Sequence, residues 1–170
     1  DTGSVDINGL PAHSISAIVD GGDVTAIAQT LRGKKGQGVA TFGSTSVVVT
    51  DKYGNPHTIC FSRSVDVPVY IAIEIKAFTG YTSAIGDEIK TAIANYINNT
   101  LSIGDDVLLS RLYSPANLAT GTDSTDSQYY DILSLQIGKS ASAVTPANIA
   151  IAYDESASCS TDNISLTVTS

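Results

Sequence analysis

The stretch VDVPVYIAIEIKAF, residues 65–78, constrains this chain more than any other. Val67, Val69, Ile71, Ile73, Ile75 and Ala77 take alternate positions, with Asp66, Tyr70, Glu74 and Lys76 among those between them. Successive side chains of a strand point to opposite faces, so this period of two describes a strand with one apolar and one polar face. It must line a core on one side. Pro68 near its start suits an edge position or the first residues of a strand, where a missing donor does least harm.

From Ser83 the period becomes helical. Ile85, Ile89, Ala92, Ile93, Tyr96, Ile97 and Leu101 recur along one face, with Asp87 and Glu88 expected near the start, on the favourable end of the helix dipole. After Gly104, DVLLSRLYSPANLAT reads as a short strand or turn and then a short helix interrupted at Pro115, and GTDSTDS as a polar loop. Three alternating segments finish the chain: YYDILSLQIG, NIAIAY and NISLTVT.

Upstream of this strand, residues 1–12 read as a polar lead-in linker. HSISAIV then predicts a strand, Gly21 and Gly22 a turn, and Asp23 the N-cap of a helix with Val24, Ile27, Ala28 and Leu31 on one face, closed at Gly33. GKKGQGVATFG reads as a loop. TSVVVTD and HTICFSR flank KYGNP, in which Gly54 and Asn55 supply a hairpin turn. The expected architecture is α+β in two small modules: β-α-β-β over 13–64, then β-α-α-β-β-β over 65–170 with a largely antiparallel sheet.

Composition limits the partners. Hydrophobic residues make up 42% of the chain and charged residues 15%, the balance of a folded domain, and 170 residues bury enough surface for a true core. Seventeen acidic against nine basic residues give a net charge of −8 with no basic stripe, so nucleic acid, which recruits clustered cations, is not an expected partner. No apolar run approaches the length of a membrane span, and no charged-then-apolar signal segment opens the chain. The chain starts at Asp1 and contains no methionine, which leads us to expect a fragment or a processed product.

Candidate chemistry is sparse. His13 and Ser14, with Asp20 or Asp23 as orienting acid, have the residue types of a hydrolase, but neighbours on a strand face opposite ways and no GxSxG elbow is present. The glycines of 33–43 match neither GxxxxGK[ST] nor GxGxxG. The acidic pairs Asp87/Glu88, Asp105/Asp106 and Asp154/Glu155 lack the alternating ligands of a calcium loop, and Asp123 and Asp126 of TDSTDS would hold at most an incidental cation. Cys60 and Cys159 are expected as free thiols. Arg63 closes an apolar strand and is expected to pair with a carboxylate at the junction of the modules. No catalytic, cofactor-binding or metal-ligating residue, and no small-molecule substrate, is therefore expected, and a structural or interaction protein is favoured over an enzyme.

Several stretches resemble the baseplate J-like family, the wedge proteins of contractile phage tails, including Mu-like ones, and of prophage-derived injection machines. They are GLPAHSI around His13, VDGG at Gly21 and Gly22, the hairpin closed by FSR at Phe61–Arg63, AIANYINNTLSIGDDVLLSRLY, and NIAIAYDESA. The similarity extends from about residue 5 to 168, and it lies in the order and spacing of the motifs. It implies the central and C-terminal part of a non-enzymatic tail protein whose family usually carries a further N-terminal region. It also implies a place in the virion tail baseplate, assembled in the host bacterial cytoplasm, with other baseplate and tail proteins as partners and self-association of the complete protein. The alternative is a surface- or carbohydrate-binding module of a tail or secreted protein; the absence of Trp and the scatter of eight Tyr speak against a sugar platform.

Overall fold

The structure, a computed structural model, describes residues 3–118 and 126–170. Among the described residues the chain is α+β, with three α-helices and ten strands in mixed sheets. It divides into two compact units, Asp1–Val65 and Asp66–Ser170. The longest ladder in each unit is antiparallel, and parallel pairs flank it. Most of the polar loop expected at 121–127, including Asp123, lies outside the described residues.

The first unit runs β1 (Ser14–Ser16), β2 (Ile18–Val19), α1 (Val24–Lys34), β3 (Ala40–Phe42), β4 (Thr45–Thr50) and β5 (Pro56–Arg63). The segment expected as one strand over 13–19 is therefore two, because it changes partner at Ala17. β1 lies parallel to β3, with Ile15 opposite Thr41, whereas β2 lies parallel to the end of β5. The Ala17 carbonyl accepts the Ser62 amide at 2.9 Å, which carries the ladder across the exchange.

β3 is an element that the glycine-rich reading of 33–43 did not anticipate. Its three residues carry no period of their own, and its partner lies far upstream. Gly43 follows it for a steric reason: a Cβ there would stand 2.2 Å from the Phe61 carbonyl carbon, so only glycine admits the crossing backbone.

α1 starts as expected, with the Asp23 carboxylate accepting the Ala26 amide at 2.8 Å. Its end differs. Gly33 stays helical and the helix runs to Lys34, with the Lys35 amide donating to Leu31 at 2.9 Å; Arg32 and Lys34 place positive charge in the last turn, where the dipole favours it. Ala28 packs against Val49 and Ile59 in a small core, with Leu31 and Val47 at its margin. The β4–β5 hairpin pairs Thr45 with Phe61 through to Thr50 with Pro56. Gly54 sits in its turn at φ 87°, a conformation that favours glycine.

The second unit runs β6 (Val65–Pro68), β7 (Tyr70–Ala77), α2 (Ser83–Thr100), α3 (Leu109–Ala116), β8 (Tyr130–Gly138), β9 (Glu155–Ser158) and β10 (Ile164–Thr169). β7 is the middle strand of β10-β7-β8, parallel to β10 and antiparallel to β8, while β6 pairs with β9 alone. The alternating stretch at 65–78 thus serves two sheets in turn. Val69 still donates to Ser158 at 2.8 Å, and the next residue opens β7. Pro68, the last residue of β6, stands in a two-stranded sheet, where a missing donor is tolerated.

The apolar row of β7 forms the floor of the core. Val69, Ile71, Ile73 and Ile75 are all buried, and Ile85, Ile89, Ile93 and Ile97 of α2, one helical turn apart, are buried in the same cluster. Gly86 lies on the packed face of this helix, where a Cβ would meet the Tyr81 hydroxyl at 2.6 Å and a Leu166 methyl of β10 at 2.8 Å. Asp87 and Glu88 are the fifth and sixth residues of α2, beyond its first turn, so the expected benefit from the dipole does not apply to them. α3 ends one residue after Pro115, in line with the expected interruption.

NIAIAY, expected as a strand, is not one. Ile149 and Ile151 are buried as the alternation required, but only a single antiparallel bridge, Val107 to Ile149, forms there. Side chains take two of the other amides, Ile151 donating to Asp106 Oδ1 at 2.8 Å and Ala152 to Glu155 Oε2 at 3.0 Å, and the Ala152 carbonyl accepts the Glu155 amide at 2.9 Å. The strand comes later, at Glu155–Ser158, where composition did not favour one.

Candidate functional site

His13 and Ser14 sit where the lead-in chain enters β1. His13 adopts φ 55° and its carbonyl accepts the Ala40 amide at 3.0 Å, while the Ser14 hydroxyl donates to the Pro11 carbonyl. Asp23 is engaged as the cap of α1. Through these backbone contacts His13 and Ser14 tie the start of β1 to β3 and to the lead-in chain, while Asp23 serves the helix.

Arg63 corrects its expectation. Its guanidinium donates to the carbonyls of Gly21 and Gly22, the latter at 2.8 Å, and lies 5.3 Å from the Phe61 ring centroid. A carboxylate is not among these partners. The rigid fork spans two consecutive carbonyls that the left-handed glycines, at φ 59° and 80°, turn toward it. The twin glycine, expected as a turn, thus also shapes an acceptor for arginine.

Asp105, Asp106 and Glu155 of the acidic pairs are also drawn into local structure. Asp105 accepts the Ser102 amide at 2.8 Å, and Asp106 holds Ile151 as described. Glu155 accepts the Ala152 amide and, at 3.2 Å, the Lys139 ammonium; those two donors hold its carboxyl below the ordinary range. Among the described residues, no group of three or more His, Cys, Asp or Glu side chains is placed to hold a metal ion. Cys60 and Cys159 are both free thiols, and burial pushes Cys159 up to about 11, which suppresses the reactive thiolate.

Two constellations escaped the sequence reading. Asp51, at the mouth of the hairpin, accepts the Tyr53 and Asn55 amides at 2.8 and 2.9 Å, His57 Nε2 lies 3.1 Å away, and Arg32 of α1 lies at 3.7 Å. His57 first, then the Asn55 amide, hold its carboxyl well below the usual range. Here an acid orients an imidazole, but the cross-strand neighbour of His57 is Val49, which offers no nucleophile. The hairpin register was the signal that could have paired Asp51 with His57.

Asn98 of α2 is the second. Its amide donates to the Cys159 carbonyl at 2.8 Å and accepts the Cys159 amide at 2.9 Å, so one side chain imitates a neighbouring strand. Tyr130 works similarly, donating from a buried hydroxyl to Ala116 at 2.7 Å; burial chiefly raises its phenol well above the ordinary value. Sequence spacing carried no sign of either bond.

A depression of about 700 Å³ runs along α2 past Glu88, Thr91, Asn95 and Tyr96 to Pro115 and Leu118. Its lining mixes carboxylate, amide and apolar groups. Among the described residues no helix is long and apolar enough to cross a membrane. No protein-family model matches the chain, and no curated protein matches it as a relative.

Proposed function

We propose that this chain is a structural subunit of a contractile phage tail baseplate wedge, or of a prophage-derived injection machine. It acts through contacts with neighbouring baseplate and tail proteins during assembly and contraction, and performs no catalysis. The observation that carries the reading is the bond between two of the stretches that resemble the baseplate J-like family. Arg63 of FSR donates to both glycine carbonyls of VDGG, so the resembling residues join to one another as architecture. Five further polar groups support the same reading, since Asp23, Asp105, Asp106, Glu155 and Asn98 all serve as partners for the backbone. A subunit of this kind works by differential contact with its neighbours in two assembly states.

The test is a pull-down of the complete protein against the other tail gene products of its neighbourhood, alongside an oligosaccharide binding screen. Retention of a baseplate or tail protein supports the reading. Retention of none of them, with saccharide binding instead, would replace it with the surface-binding alternative.

A further inference from the structure

We propose that β10 is a self-association edge, along which two copies of this chain pair antiparallel so that each three-stranded sheet continues into the other. Among the described residues β10 pairs with β7 alone, and its other side is the end of the sheet. Its sequence, ISLTVT, has no charge and no proline, and its ladder to β7 has no bulge, so the devices that guard natural edges are missing.

The other edge strands of four residues or more are better protected. β8 is bulged opposite Glu74/Ile75, and its far side is met by Thr145, which exchanges two 2.9 Å bonds with Ile137. β6 and β9 are four residues each and carry Asp66, Pro68 and Glu155. β4 is as bare as β10, but its inward row is covered: Val49 is 7% exposed, packed with Ala28 of α1.

β10 differs in that row. Ile164 is 2% exposed and Leu166 partly buried, but Val168 is 46% exposed, so the core runs out beneath the end of the edge strand. An added strand would extend it.

A second copy of β10 fits as the occupant because the strand is complementary to itself. A twofold axis at Thr167 sets Leu166 opposite Val168 of the second copy and Ser165 opposite Thr169. Leu166 and Val168 then meet on the core-facing side and hydroxyls meet hydroxyls on the other, with Ile164 opposite Ser170 at the two ends. In this register the paired stretch begins at Ile164, leaving Asp162 outside it, so no like charges stand opposite. A strand pair of this length buries well under the roughly 1,600 Å² of a standard interface, so the dimer is weak and forms only at high concentration. Each copy carries a net charge of −8, and added salt screens that repulsion and strengthens the dimer. The contact is independent of whether the chain belongs to a baseplate.

Light scattering of the 170-residue chain over a range of concentrations, at low and high salt, tests this. Val168→Lys and Thr167→Lys each place charge on the seam at an exposed position, and Val48→Lys places it on β4; unchanged circular dichroism and melting identify the folded variants. We expect the parent mass to rise from 17.6 kDa toward twice that value with concentration, and further with salt. Both seam variants should stay at the monomer mass, and Val48→Lys should follow the parent. A parent that stays monomeric throughout, growth beyond a dimer, or a folded seam variant that dimerises like the parent overturns the proposal. So does loss of the dimer in Val48→Lys alone.

Discussion

Asn98 and Asp51 show how far a single polar side chain can act in this fold. Asn98 satisfies both backbone groups of Cys159, a buried residue, from a helix 61 positions away. In Asn98→Ala these two groups lose their partners, and leaving buried polar groups unpaired costs about 2–3 kcal/mol. A urea titration should show a loss of that order. Asp51 makes a pH-dependent contribution. Its pKa is lowered in the folded chain below the ordinary value of 3.8, chiefly by His57, so the folded state favours the ionised form. The resulting stability is complete above the ordinary carboxyl pKa and is lost as the pH falls through the depressed folded value. Denaturation of the parent should therefore become steeply easier with acid below about pH 4, and Asp51→Asn should flatten that slope. An unchanged slope in the variant would show that another carboxylate controls the acid limb.

Among the elements, β7 and α2 were legible before the structure because each carries its own period. The row Val69, Ile71, Ile73, Ile75 and the row Ile85, Ile89, Ile93, Ile97 are buried where alternation and helical spacing placed them. Ile73→Asp would bury an unpaired carboxylate beneath α2, with a loss of several kcal/mol. A variant melting within a few degrees of the parent would mean that this strand does not carry the core. NIAIAY shows the limit of such readings. Alternation reports which side chains are buried, and Ile149 and Ile151 are buried, but the backbone partners there are a single bridge, two carboxylates and a local turn bond. A period of two thus identified the inward face correctly while misidentifying the hydrogen-bond pattern.

At the scale of the whole molecule, the chain by itself determined the α+β class, the amphipathic elements, the caps and turns at Asp23 and Gly54, and an acidic surface of net charge −8. These depend on interactions within a few residues, or on sums over the chain, so composition and spacing carry them. Tertiary structure alone decided the exchange of partners at Ala17 and at Val69, the strands β3 and β9, and the clasp of Arg63 on Gly21 and Gly22. It also decided that β10 lies at the outer edge of its sheet. Each of these joins groups far apart in sequence, and a backbone amide or carbonyl presents the same chemistry at every residue. Which one it finds is therefore set by the packing of the finished core, and local pattern does not encode it.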